Sequence, residues 1–253
     1  NSGTSGELAK DVFFAYRGYR MNYYAVTAML ARVYCWAGEY GNAYKEAKEV
    51  VDATYSTGST STASCFNFSN SLTTNRKDYN SIIMTFFKST CYEDYLPYMT
   101  KGNDVVLVVN TTNLFGDEAG ADDRNLDLFG DWDGGDIKYS FKYDIKEGTS
   151  GTDMIPAIRL SEMYYIMGEY FAYKDEFSKA GEMLDKVRYA RGISTTNLAS
   201  SIGSLEVFHT HLIKEMRREF VGEGQMFFQY KRLDQKPKDN VVFVFDKPNN
   251  EDI

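Results

Sequence analysis

The chain has 253 residues, 43% hydrophobic and 25% charged, an ordinary globular balance with enough length for one large domain or two small ones. Lys and Arg number 28 against 36 Asp and Glu, and the net charge of -8 argues against a phosphate-backbone partner, which needs clustered cations. No apolar run approaches the ~20 residues of a membrane-spanning helix, so a membrane-embedded chain and a typical nucleic-acid binder are both set aside.

Residues 1–6 are small and polar, with neither a charged nor an apolar leader region, so no signal peptide is read there. The expectation is a cytoplasmic protein or one whose N-terminal part has been removed. Residues 22–53 then carry the first helical hairpin. Leu30, Ala31, Tyr34, Gly38, Tyr40, Ala43, Ala47 and Val50 follow the small-and-aromatic spacing of a tetratricopeptide-type pair. Two antiparallel helices approach closely only where alanine or glycine sits at the crossing, and aromatics fill the wedge beside it. Gly38 and Gly41 flank the predicted turn. Cys35 falls in the apolar pattern and reads as a small core residue.

Residues 54–155 change character. The stretch 54–80 is rich in Ser, Thr and Asn and reads as a long loop. A β-branched strand is predicted at 104–110 and a second at 139–143. Between them, residues 122–136 hold six aspartates with Gly130, Gly134 and Gly135. Long irregular insertions of this kind often carry function. Cys65 and Cys91 lie in the same region; a bridge between them is open, and the three cysteines show no zinc spacing.

The second hairpin spans residues 156–192. Met167, Gly168, Phe171, Asp175, Phe177, Ala180, Leu184 and Val187 repeat the eight spacings of the first, with Asp175 in place of the turn glycine. Pro156 is read as the first turn of its leading helix and Gly192 as the C-terminal cap. A further helix is predicted over 204–221, with Leu205, Phe208, Leu212, Ile213, Met216 and Phe220 on one face. Gly222 and Gly224 interrupt it, Phe227, Phe228 and Tyr230 resume it, and residues 241–245 form a short apolar run before Pro248.

Tyr, Phe and Trp make up 15% of the chain, and aromatics serve cores, interfaces and sugar platforms alike. The sharpest candidate is Trp132, set between Asp131 and Asp133 in the Gly/Asp loop. One reading is a loop anchor packed on the helices. The other is a flat apolar platform beside carboxylates, where sugar C–H faces stack and hydroxyls find acceptors. Tyr92 and Tyr95, around Glu93 and Asp94, form a second such mixture.

Other chemistries find less support. Asp131-x-Asp133 opens like a calcium loop, but Asp136 and Lys142 stand where an EF-hand needs Gly and Glu, leaving irregular cation ligation or a solvated loop. No motif isolates a pair of hydrolytic carboxylates, and no Gly-x-Ser-x-Gly, Walker or Gly-x-Gly-x-x-Gly sequence occurs. His209 and His211 point to different faces of a helix. No metal site and no cofactor are assigned. Glu215, Arg217, Arg218 and Glu219, with Arg159 and Glu162, are read as ion pairs between or along helices, a structural role.

Together these segments resemble the C-terminal half of the SusD/RagB-like family. The carrying residues are NYYAVTAMLARVYCWAGEYGNAYKEAKEVVDA at 22–53, IPAIRLSEMYY at 155–165, Val187-Arg188 with Arg191-Gly192, EMRREFVGEG at 215–224 followed by 227–232, and Asp123-Arg124. Residues 245–251 resemble the family's closing segment weakly, without its first proline. Met216, Gln225 and Gln229 depart from its pattern, which marks a divergent member.

The resemblance implies a protein about twice this length, with the signal peptide, lipid-bearing cysteine and first two hairpins outside these residues. It implies a mainly α fold of tetratricopeptide-like hairpins with a loop-rich insertion containing short β-strands, here one region over residues 1–253. It also implies a non-catalytic protein on the extracellular face of the outer membrane, held there by a lipid anchor. That protein would bind glycan or another nutrient as a lid on a TonB-dependent transporter. The rival readings are a helical-repeat protein scaffold without a small ligand and, behind it, a hydrolase.

Overall fold

The structure, a computed structural model, describes residues 19–58, 60–100, 108–131, 134–144 and 154–233. The first hairpin is α1 (Tyr23–Trp36) and α2 (Tyr40–Val51). Asn22 caps α1, its side chain accepting from the Ala25 amide at 2.9 Å. Ala25, Ala28, Ala31 and Cys35 of α1 are buried with Ala43, Ala47 and Val50 of α2. Alanine at the crossing lets the two backbones come close, as the spacing predicts.

The second hairpin is α6 (Leu160–Ala172) and α7 (Phe177–Ala190). Its turn shows why one residue differs between the two. Gly38 sits at φ +75° and Asp175 at φ +59°, so the same left-handed turn position is filled by glycine in one hairpin and aspartate in the other. Gly41, by contrast, lies in the first turn of α2 and takes no part in the bend.

Helix α6 is packed on α2, α7 and α8 (Leu205–Glu219). Hence its polar Ser161, Glu162 and Glu169 are buried along with its apolar residues. Ser204 caps α8 by accepting from the Val207 amide at 3.2 Å. After the glycines, α9 (Met226–Arg232) resumes the chain. Arg232 of α9 is fixed on Glu169 of α6, with contacts of 2.6 and 2.7 Å. Residues 241–245 lie outside the described residues.

The stretch 54–80 is not loop alone: β1 (Thr54–Ser56) pairs with β2 (Thr62–Ser64). A strand the sequence pattern did not announce, β3 (Ile82–Phe87), pairs antiparallel with β7 (Met154–Arg159), setting Thr85 opposite Pro156. Pro156 therefore belongs to a strand and not to a helix turn. Thr85 sends its own amide away from β7, to the Tyr19 carbonyl at 2.9 Å, so the position opposite it needs no N–H and Pro156 interrupts no ladder bond. Helix α6 starts at Leu160.

The rest of the insertion folds around its own small core of Leu72, Val109, Leu114, Phe115, Leu128 and Phe129. It contains α3 (Cys91–Met99), β4 (Val108–Asn110), α4 (Thr111–Phe115), α5 (Asp123–Leu128), β5 (Phe129–Asp131) and β6 (Ile137–Ser140). The sheet order is β4-β6-β5: β4 falls inside the strand predicted at 104–110, whereas β6 overlaps the one predicted at 139–143 only at Tyr139 and Ser140, and residues 141–143 leave the strand for a turn. Residues 104–107 of the first prediction lie outside the described residues. Cys35, Cys65 and Cys91 are free thiols.

Buried charge joins this insertion to the helices. Glu219 at the end of α8 is 2% exposed and receives three guanidinium groups: Arg124 of α5 at 3.2 Å, Arg159 at 2.8 Å and Arg191 at 2.6 Å. Burial pushes the Glu219 carboxyl up, but Arg191 and Arg159 outweigh it and hold the group well below the usual carboxylate range. Arg191 also reaches Asp78 at 2.6 Å, and Arg218 donates to the carbonyls of Leu114 and Phe115 at 3.0 and 2.8 Å. These residues are buried cross-links between elements distant in sequence. The weak exposed pairing typical of a helix surface does not describe them.

Candidate functional site

Of the five residues singled out from sequence, Trp132 and Asp133 lie outside the described residues, and Tyr92, Tyr95 and Asp131 are described. Tyr92 and Tyr95 stand on α3. Glu93 and Asp94 occupy its first turn, where negative charge suits the helix dipole, and Asp94 accepts from Thr90 at 2.8 Å and pairs with Lys88 at 2.5 Å. Tyr92 is half-buried.

Tyr95 lies parallel to Tyr143, with ring centroids 4.1 Å apart and 11° between planes. Burial raises the Tyr95 phenol above its ordinary value. Tyr143 is buried and its hydroxyl donates to the Gly222 carbonyl at 3.2 Å. The next residue back, Lys142, is buried too. Its ammonium donates to the carbonyls of Glu219 at 3.0 Å and Val221 at 3.3 Å and pairs with Glu223. Burial brings that ammonium down to about 8, partly opposed by Glu223. The ring beneath Tyr95 is therefore fixed to the C-terminal turn of α8, and the insertion's aromatic wall is held by the helical scaffold.

Asp131 ends β5. It is opposite Lys138 of β6 and 3.6 Å from its ammonium, with its side chain 72% exposed. One residue earlier, Gly130 is crossed by the Phe141 ring: a Cβ there would stand 2.3 Å from Phe141 Cζ, so no other residue fits without moving the ring. Phe141 meets Tyr139 edge-on at 4.9 Å and carries the Arg76 guanidinium at 5.0 Å. Among the described residues, no hydrogen bond, ion pair or ring contact joins Tyr92 or Tyr95 to Asp131. The structure thus shows two aromatic groupings, Tyr95 on Tyr143 and Tyr139 with Phe141, each beside ionic side chains.

Sequence reasoning passed over a third grouping. Tyr40 stacks on Tyr173 at 3.9 Å and Tyr44 on Tyr170 at 4.3 Å, joining the turn ends of the two hairpins. With Glu39, Asn42 and Lys174, three of them, Tyr40, Tyr170 and Tyr173, line an open recess of about 500 Å³. The signal was available, because Tyr40 belongs to the repeat spacing itself. Among the described residues, no group of three or more His, Cys, Asp or Glu is arranged to hold a metal ion, and no helix is long and apolar enough to cross a membrane.

Comparison with known proteins decides the family. A model described as the SusD family matches residues 16–250. The chain belongs to the SusD family. Solved SusD-like structures share its fold. A SusD superfamily protein from Bacteroides thetaiotaomicron is 22% identical with a TM-score of 0.64, over 89% of this chain and 53% of that one. A SusD-like carbohydrate binding protein from Bacteroides vulgatus is 20% identical with a TM-score of 0.60, over 86% and 46%. A laminarin binding SusD-like protein is 18% identical with a TM-score of 0.56, over 87% and 56%. At these identities the likeness establishes the fold alone. The chain spans about half the length of these solved SusD-like proteins. No curated protein matches it.

Proposed function

We propose that this protein binds glycan, or another nutrient of similar chemistry, at the cell surface for delivery to a TonB-dependent transporter of the outer membrane, and that it makes and breaks no bond in its ligand. The observation that carries the reading is the SusD family match over residues 16–250. Two structural relatives whose names specify carbohydrate or laminarin binding support it. Membrane association in this reading comes from a lipid anchor outside these residues.

In this reading the labour is divided. Hairpins with alanine crossings serve as the scaffold, and Tyr92, Tyr95, Asp131, Trp132 and Asp133 of the insertion supply the ligand contacts. Such a surface binds passively: ring faces take the C–H faces of a sugar, while carboxylates and phenols take its hydroxyls. Trp132→Ala should weaken glycan binding visibly in calorimetry while leaving helicity unchanged, and unchanged affinity in a folded variant removes Trp132 from the site. A glycan-array screen identifies the ligand class.

A second reading, a protein-binding scaffold, draws on one feature. Helix α1 exposes Tyr23, Val26, Leu30 and Val33 along one side, a stripe suited to another helix. Retained glycan binding with the stripe made polar favours capture over scaffold.

A further inference from the structure

A recess of about 280 Å³ lies between the β1–β2 hairpin and the turn that leads into β3, lined by Tyr19, Tyr55, Ser64, Asn67, Tyr79 and Asn80 among others. We propose that this recess is a binding subsite for one uncharged sugar ring, an inference that rests on the reading of the protein as a glycan-capture protein and adds a contact whose lining includes neither a residue of α3 nor Asp131. Its size is just under the ~300–1,000 Å³ of pockets for drug-sized ligands, which suits a single ring and not a chain.

The lining chemistry sets the ligand class. Three phenols, two carboxamides and a serine hydroxyl converge there, and no lining side chain is a carboxylate, ammonium or guanidinium. The recess is half-open, and a phosphate, uronate or amine in it would meet no counter-charge from the lining, whereas a neutral polyol finds both donors and acceptors. A purely apolar ligand would strand the amides. The phenols add ring faces against which sugar C–H groups pack.

The walls are already fixed by the backbone. The Asn67 amide donates to the Asn80 carbonyl at 3.0 Å, the Cys65 amide to the Ala53 carbonyl at 2.7 Å and the Thr85 amide to the Tyr19 carbonyl at 2.9 Å. The Tyr79 amide is held by the Asn75 side chain at 2.9 Å. One N–H of the Asn67 carboxamide goes to the Ser64 carbonyl at 3.2 Å, which leaves its oxygen for a ligand. The Asn80 carboxamide makes no hydrogen bond among the described residues. Burial, with Tyr19 beside it, pushes the Tyr79 phenol up to about 12, so it remains a donor at neutral pH. Recognition groups held on a rigid frame lose little entropy on binding.

The test is saturation-transfer NMR on the full chain with the methyl glycosides of glucose, galactose and mannose, and with methyl glucuronide as the charged control. At least one neutral glycoside should receive saturation and the glucuronide none. Tyr55→Ala and Asn80→Ala should each weaken the neutral signal about tenfold, the scale of one lost contact, with circular dichroism unchanged. Tyr79→Phe keeps the ring and removes the hydroxyl, and should weaken binding less. Silence from all three neutral glycosides, an equal signal from the glucuronide, or unaltered binding in folded Tyr55→Ala and Asn80→Ala overturns the subsite. If Trp132→Ala removes the signal while these variants keep it, the subsite is overturned and the capture reading stands.

Discussion

Leu30 and Met167 hold the same position in two hairpins of identical spacing, yet Leu30 is 41% exposed and Met167 only 7%. The difference runs along both leading helices. On α1 the side opposite the alanine crossing carries Tyr23, Val26, Leu30 and Val33 into the open, whereas α6 is packed on helices α2, α7 and α8 and buries even Glu162 and Glu169. Spacing therefore dictates the pairing of two helices and says nothing about what covers the pair. The burial of α6 has an electrostatic counterpart. Glu162 takes Arg32 of α1 at 2.6 Å and Glu169 takes Arg232 at 2.6 Å, so each acid that the packing buries meets a guanidinium.

The comparison is most severely tested where the second hairpin, the insertion and α8 share a charge. Glu219→Gln removes the one carboxylate common to Arg124, Arg159 and Arg191 and leaves three buried cations under-compensated. The expected cost is about 3–5 kcal/mol in denaturant unfolding. A loss below 1 kcal/mol would mean that these pairs act like surface pairs and that the insertion is not keyed to the helices through them. Next in size is the matched pair of truncations. Met167→Ala should cost about 2–5 kcal/mol, and Leu30→Ala should stay within about 0.5 kcal/mol. Equal effects would show that Leu30 is covered in solution.

The two turns sharpen the comparison at smaller scale. Gly38→Ala places a Cβ in the left-handed region and should cost about 1–2 kcal/mol. Asp175→Gly, at the matching position, should change stability by less than about 1 kcal/mol, because aspartate already tolerates that conformation. Melting temperatures of the two variants, measured side by side, decide it.

These contrasts also mark what the sequence could disclose. The hairpins were legible because close helix crossings admit only small residues, and Ala31, Ala43, Ala47 and Ala180 recur where the crossing demands them. Asp175 was legible as the turn residue because it takes the repeat position that Gly38 holds in the first hairpin. The β3–β7 ribbon was not, since Thr85 meets Pro156 across most of the insertion and neither strand alternates cleanly. The charges around Glu219 read as helix pairs because their partners, Asp78, Arg124 and Arg191, are brought in by tertiary folding. Tyr92, Tyr95 and Asp131 could be picked out by composition, but the Tyr143 ring under Tyr95 and the Lys138 ammonium beside Asp131 come from fold geometry.

The smallest effect concerns pH and the α6–α8 contact. His209 lies on α8 beside Tyr173, with ring centroids 5.8 Å apart, and its Nε2 is buried without a hydrogen-bond partner. Burial lowers its pKa below the ordinary 6.5, with Glu169 opposing and Arg232 adding to the shift. Burial also lowers His211, followed by Lys214 and Arg188. A depressed histidine takes up its proton in the unfolded chain before it does so in the folded one, so stability is lost as pH falls through 6.5 toward the folded value. His209→Gln with His211→Gln should therefore flatten the acid side of the stability profile just below pH 6.5 and leave neutral pH nearly untouched. Urea titrations of both proteins across that window measure the difference, and identical slopes would place the two rings in water, which for His209 opens the contact with Tyr173 at the end of α6.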